Sequence, residues 1–123
     1  MLSDLEVIGV LPAKDLQRAR AFYKDKLGLE PAEVRDDGLI YRMSQGSFLL
    51  YETPNAGSAK NTQLCWNTSD VEADVAELRG KGVVFEEYDF PGMKTEKGIA
   101  VLDGVKGAWF LDSEGNILCL SER

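Results

Sequence analysis

The chain offers few side chains able to make or break bonds, and it contains no histidine. That one absence removes the Ser-His-Asp and Cys-His arrangements, the imidazole general base and imidazole metal ligation together. Glu52 is the best single candidate for chemistry. It closes the extended run "SFLLYE" (47–52), where a carboxylate could accept a ligand's amine or hydroxyl, or a proton. Cys119 is a thiol with no imidazole to activate it, so its expected role is that of a small buried hydrophobe. Lys14 and Lys97 have no visible partner that would make them Schiff-base lysines. Gly46, Gly57, Gly92 and Gly98 form neither GxGxxG nor a P-loop, so the chain has no phosphate cradle.

Residues that bind without reacting are better represented. Trp66, Phe48, Leu50 and Trp109 could wall an apolar, aromatic pocket, although aromatic residues on strands more often serve the core. Side chains alternate along a strand, so Ile8 and Val10 share one face, and Leu64 and Trp66 share another. Cys65 then points away from Leu64. With Leu64 and Cys119 both taken to face the pocket, a Cys65–Cys119 disulfide is not expected.

The bulk properties are those of an ordinary globular chain, and its net charge chiefly governs solubility. The chain has 123 residues, 14 of them basic and 21 acidic, for a formal net charge of −7. Such a balance argues against a nucleic-acid partner, which would call for a basic face, and it permits a cationic ligand. No apolar run reaches the roughly 18 residues of a membrane span, and the opening "MLSDLEV" has neither the basic nor the long apolar stretch of a signal peptide. The expected location is the cytoplasm. Two cysteines make no disulfide framework in a chain of this length.

These residues must be positioned by a repeating set of elements. Glu6–Leu11 reads as a strand ending at Pro12, which cannot donate to a ladder. Asp15 suits a helix N-cap, and Leu16, Ala19, Phe22 or Tyr23, and Leu27 recur at helical spacing. Gly28 is placed to end that helix in the left-handed conformation. Three extended segments follow, Glu30–Arg35, Leu39–Met43 and Ser47–Glu52, separated by the turns "DDG" and "SQG". After the polar link "TPNAGSAKN" (53–61), Thr62–Thr68 reads as a strand. Ser69 with Glu72 fits a capping box, Val71, Val75 and Leu78 form a helical stripe, and Gly82 closes it. Val83–Tyr88 reads as a strand, Phe90–Lys97 as an inserted loop that could lid a cleft, and Ile99–Leu102, Lys106–Leu111 and Ile117–Ser121 as further strands. Asp15 and Asp70 are offset by 55 residues, and Gly28 and Gly82 by 54, as in a duplicated unit. Two helices covering many strands make the class α+β, with one module at about 5–53 and a second at about 62–122.

The segments "DLQRARAFYKDKLGLEP" (15–31), "SFLLYE" (47–52), "TSDVEADVAELRGKGV" (68–83) and "AWFLDSEGNILCL" (108–120) together resemble the vicinal oxygen chelate superfamily, the glyoxalase/bleomycin resistance/dioxygenase group. The last segment resembles that group's Asp-Pro-Asp-Gly-Asn turn, with Ser113 at the proline position. The resemblance covers nearly the whole chain. It implies two βαβββ modules and a half-barrel cleft, with a divalent metal in many members held by two His and one or two Glu. Carried over by position, those ligands fall on Ile8, Glu52, Leu64 and Cys119, and only Glu52 suits a hard divalent ion. The expected protein is therefore metal-free and without a cofactor. It would bind a small molecule through Ile8, Val10, Phe48, Leu50, Glu52, Leu64, Trp66, Trp109 and Cys119, as drug-sequestering homodimers of the group do. The alternative is a lyase or isomerase using Glu52 as metal ligand or general base. An extradiol dioxygenase triad cannot be built without histidine.

Overall fold

A computed structural model describes all of residues 1–123. The elements run β1 (Gly9–Ala13), α1 (Leu16–Leu27), β2 (Glu33–Arg35), β3 (Gly38–Arg42), β4 (Ser47–Glu52), β5 (Thr62–Asn67), α2 (Val71–Gly80), β6 (Asp89–Phe90), β7 (Met93–Glu96), β8 (Ile99–Leu102), β9 (Val105–Leu111) and β10 (Ile117–Glu122). They form two mixed sheets, ordered β1-β4-β3-β2 and β5-β10-β9-β8-β7-β6. In each sheet the strand before the helix pairs parallel with the last strand of its half, β1 with β4 and β5 with β10. Neither helix is long and apolar enough to cross a membrane.

The first helix forms as its sequence dictates. The Asp15 carboxylate accepts the Arg18 N–H at 3.0 Å, satisfying one of the donors a helix start leaves free. At the other end Gly28 takes φ 70°, Gly28 N–H donates to Lys24 O at 3.1 Å and Leu29 N–H to Tyr23 O at 2.9 Å, a paired closure that favours glycine. Ala19 and Tyr23 are buried from this helix. Tyr23 packs against Tyr41 and Phe48 with ring centroids 5.5 and 5.9 Å apart. In α2 the cap is Asp70, which accepts the Ala73 N–H at 3.1 Å, and not the expected Ser69. Asp70 is the residue directly before the first helical residue, Val71, and so holds the N-cap position itself.

Two further expectations are corrected. Pro12 lies inside β1. It is tolerated because β1 is an edge strand, where one side of the backbone has no ladder partner. The segment Val83–Tyr88 is not a strand but an irregular run with a single bridge, Phe85 to Phe110. Pairing begins later, in the expected loop, where β6 and β7 form a hairpin through Asp89–Lys94 and Phe90–Met93. Buried Thr95 anchors it, its hydroxyl accepting the Tyr88 N–H at 2.7 Å. The apolar sequence of 83–88 reflects burial of Val83 and Phe85 against the core without a ladder.

One core of 16 buried residues draws on both halves. Leu11, Ala13, Leu39, Tyr41, Phe48 and Leu50 come from the first sheet; Ala108, Phe110, Leu118 and Leu120 come from the second. Packing of α1 on β4, and of α2 on β9 and β10, covers one face of each sheet. The other face of each sheet has no helix over it.

Candidate functional site

Alternation and register decide which side chains reach the helix-free faces. In the first sheet Val10 pairs with Leu49 and Pro12 with Tyr51, while Leu11 pairs with Leu50. Since Leu11 and Leu50 are buried under α1, Val10, Leu49 and Tyr51 point the other way, together with Ile8. Val10 is 53% exposed and Tyr51 36%. In the second sheet Cys119 pairs with Cys65 on one side and Trp109 on the other, and all three lie opposite the buried Leu118, Leu120 and Phe110. Trp109 reaches across β10, its indole N–H donating to the Thr62 hydroxyl at 3.1 Å. Tyr88 stands edge-on to it with ring centroids 5.8 Å apart. Phe90 and Leu111 complete this surface, 54% and 43% exposed.

The nine residues expected to bind ligand thus divide. Ile8, Val10, Trp109 and Cys119 lie on the helix-free faces. Phe48 and Leu50 are buried on the opposite face. Leu64 and Trp66 also turn that way and pack against the core. On β4 and β5 the expected residues therefore lie on the helix-covered side of the sheets, since a shift of one residue along a strand inverts its faces. The residue of β4 that does face outward is Tyr51. Phe90 stands in the segment expected as a lid, while Tyr51, Tyr88 and Leu111 were not among the expected ligand-binding residues; only the parallel pairing of β4 with β1 sets Tyr51 on the face of Val10.

Trp66 has a different setting. Its ring lies edge-on to Phe48, centroids 6.2 Å apart, and its indole N–H points to Met43 Sδ at 3.5 Å. It lines a groove of 520 Å3 between the two halves, together with Leu29, Met43, Asp74 and Leu78. A second groove of 450 Å3 shares Trp66 and includes Phe48 and Leu64.

Glu52 is committed to the helix. Its Oε1 accepts the Leu16 N–H at 3.2 Å, at the first turn of α1, on the side of the sheet away from Val10 and Tyr51. With Ile8, Leu64 and Cys119 at the other positions that would hold a metal, the chain's donors do not suit a hard divalent ion: no three His, Cys, Asp or Glu side chains converge anywhere.

The charged cluster of the molecule sits instead at the turn between β9 and β10. Glu114 Oε1 accepts the Lys14 and Asp15 backbone N–H groups at 2.9 and 3.0 Å, and Arg18 forks onto both oxygens at 2.8 and 2.9 Å. Burial raises the Glu114 pKa, but the Arg18 bond, the Asp15 amide and the Ser113 hydroxyl outweigh it and hold the carboxyl at about 2. Behind it the Tyr23 hydroxyl donates to Asp112 at 2.6 Å; burial, and then the Asp112 carboxylate, push the Tyr23 pKa up. Asn116 donates to Pro12 O at 2.9 Å. This turn fastens the second half to the start of α1, so its acids are structural. On the helix-free face the Cys119 thiol is pushed up to about 12, first by burial and then by the neighbouring Cys65.

Two mixed sheets, each with one helix-covered and one open face, two parallel strand–helix–strand closures and a core shared between halves define a paired-module α+β fold of the type used by glyoxalases and drug-binding proteins. A sequence profile of the Glyoxalase/Bleomycin resistance protein/Dioxygenase superfamily matches residues 7–120. The chain belongs to that superfamily. Among solved structures it is similar to a bleomycin-binding protein complexed with bleomycin (TM-score 0.72, 19% identity, 97% of this chain and 98% of that one). A glyoxalase/bleomycin resistance protein from Catenulispora acidiphila is also similar (TM-score 0.68, 21% identity, 97% and 98%), as is a lactoylglutathione lyase from Agrobacterium tumefaciens (TM-score 0.63, 21% identity, 94% and 92%). At these identities the likeness concerns the fold. Comparison with curated protein sequences finds no match.

Proposed function

We propose that this protein is a metal-free small-molecule binder that sequesters an organic ligand on its helix-free sheet faces, as a cytoplasmic homodimer. The observation that carries the reading is the open aromatic surface of the second sheet, where Trp109 and Tyr88 stand together beside exposed Phe90 and Leu111. A contiguous apolar surface of this kind is a recognised mark of a binding face. Aromatic planes bind flat organic groups, and the net charge of −7 favours cationic ones. Pairing of two copies would cover Val10 and Tyr51 and turn open faces into clefts. The bleomycin-binding neighbour supports a bleomycin-type antibiotic as the first ligand to try. A lyase or isomerase reading needs Glu52 free to take a proton or a metal, and its bond to Leu16 N weighs against that role.

The test is thermal unfolding against two panels, divalent metals and bleomycin-type antibiotics. A ligand at a hundred times its dissociation constant stabilises by about 2.7 kcal/mol, a rise of several degrees in Tm. The expected result is a rise with the antibiotics and none with the metals. A saturable rise with a metal at micromolar concentration overturns the proposal.

A further inference from the structure

Cys65 and Cys119 are brought together by the fold. They are direct partners across the parallel β5–β10 pair, and both lie on the helix-free face. Neighbouring strands run about 4.8 Å apart, inside the Cα separation of about 4.4–6.8 Å that a disulfide spans. Each thiol donates to the carbonyl of the residue that follows it, Cys65 to Trp66 O at 3.7 Å and Cys119 to Leu120 O at 3.3 Å. Three further features suit a bond that forms and breaks. Cys65 is exposed and Cys119 buried, so one thiol can be approached and the other waits behind it. The strand carrying Cys65 is an edge strand, paired only with β10. The register shifts by one residue beside the pair, between Ile117 and Leu118, which bends the strands locally. Trp109 lies against the same pair, opposite Cys119 and bonded across to Thr62.

We propose that Cys65 and Cys119 form a reversible dithiol–disulfide site, with Cys65 attacking a low-molecular-weight disulfide and Cys119 resolving the product. In the first step the Cys65 thiolate displaces one thiolate from the reagent and forms a mixed disulfide. In the second, Cys119 Sγ attacks Cys65 Sγ, its proton passes to the departing thiolate, and the second reagent thiol leaves. The chain loses two hydrogens, and one reagent disulfide becomes two thiols. A bond joining β5 to β10 beside Trp109 would fix the wall of the aromatic face, but the chemistry itself needs no cleft ligand and stands apart from the function proposed above.

The test uses the full chain with glutathione disulfide, followed by intact mass and free-thiol titration. The wild type is expected to lose two hydrogens and both free thiols, and dithiothreitol to restore them. C119S should stop at a glutathione adduct on Cys65, and C65S should react far more slowly. Trp109 fluorescence should drop on closure in the wild type and not in C119S; W109F identifies that signal. C65A and C119A, checked by circular dichroism, replace either serine variant that fails to fold. A wild type that keeps both thiols, that stops at a stable glutathione adduct, or that links Cys65 to a second copy overturns the proposal.

Discussion

Glu52 and Glu122 hold equivalent posts. Glu52, the last residue of β4, accepts the Leu16 N–H at 3.2 Å, and Glu122, the last residue of β10, accepts the Val71 N–H at 2.8 Å. Each ties the start of one helix to the end of the strand that closes its half. The chain repeats a device as well as a topology, and it explains why the first module's terminal glutamate turns toward the helix.

Each glutamate should therefore behave as a helix cap. E52A and E122A are each expected to cost about 1 kcal/mol in urea unfolding, and E52Q, which keeps an acceptor oxygen, should cost less than E52A. Affinity for a ligand on the open faces should not change with E52A. A tenfold loss of affinity with unchanged stability would return Glu52 to the binding site.

Glu114 sets a pH dependence. Its folded pKa of about 2 lies below the ordinary value of 4.5, so protonation opposes folding. The stability it contributes is complete above about pH 4.5 and is lost as the pH falls toward 2, with a slope of at most about 1.4 kcal/mol per pH unit. Solvent reaching half-exposed Arg18 screens the pair, which lowers the total. Stability measured between pH 6 and 2.5 should fall more steeply in the wild type than in E114Q. E114A should cost about 2 kcal/mol at pH 7, because the Lys14 and Asp15 amides lose their acceptor. Parallel curves for wild type and E114Q would remove Glu114 from this role.

The fold was largely legible in the sequence, for physical reasons. Asp15, Gly28 and the Ala19–Tyr23 stripe act within one helix, and local signals report local structure. The parity of β4 and β5 was not legible. "SFLLYE" is apolar on both sides, because Phe48 and Leu50 face the core while Leu49 and Tyr51 face outward, and no alternation marks which is which. Only the pairing of β4 with β1, 30 or more residues away in the chain, resolves it. The facing of Cys65 follows from the same ambiguity: taking Leu64 as outward turns Cys65 toward the helix, whereas the pairing of Cys65 with Cys119 sets both, as free thiols, on the open face. Glu114 was hidden in a turn whose residues look solvated, and its partner Arg18 lies 96 residues distant in sequence.

The proposed dimer can be tested through the exposed apolar residues of the first sheet. V10K places a charge at a 53% exposed position on that face and disturbs no core contact. It is expected to leave the unfolding midpoint of the monomer within about 0.5 kcal/mol of its original stability and to shift the sedimentation profile from dimer to monomer. A wild type that sediments as a monomer at micromolar concentration would rule out the dimer directly.

The two tryptophans separate ligand binding from core packing. Trp109 stands on the open face, its ring over Gly107, bonded to Thr62 and edge-on to Tyr88, so W109A removes a stacking plane without opening the core. Any ligand found by thermal shift should lose at least about tenfold in affinity, or about 1.4 kcal/mol, while stability in urea falls by about 1 kcal/mol. Trp66 packs on Phe48 and closes the groove between the halves. W66A should cost about 3 kcal/mol in stability, with affinity measured well below the melting temperature little changed. Isothermal titration of both variants reads the difference. The reverse pattern, affinity lost with W66A and kept with W109A, would move the binding site from the open sheet face to the groove between the halves.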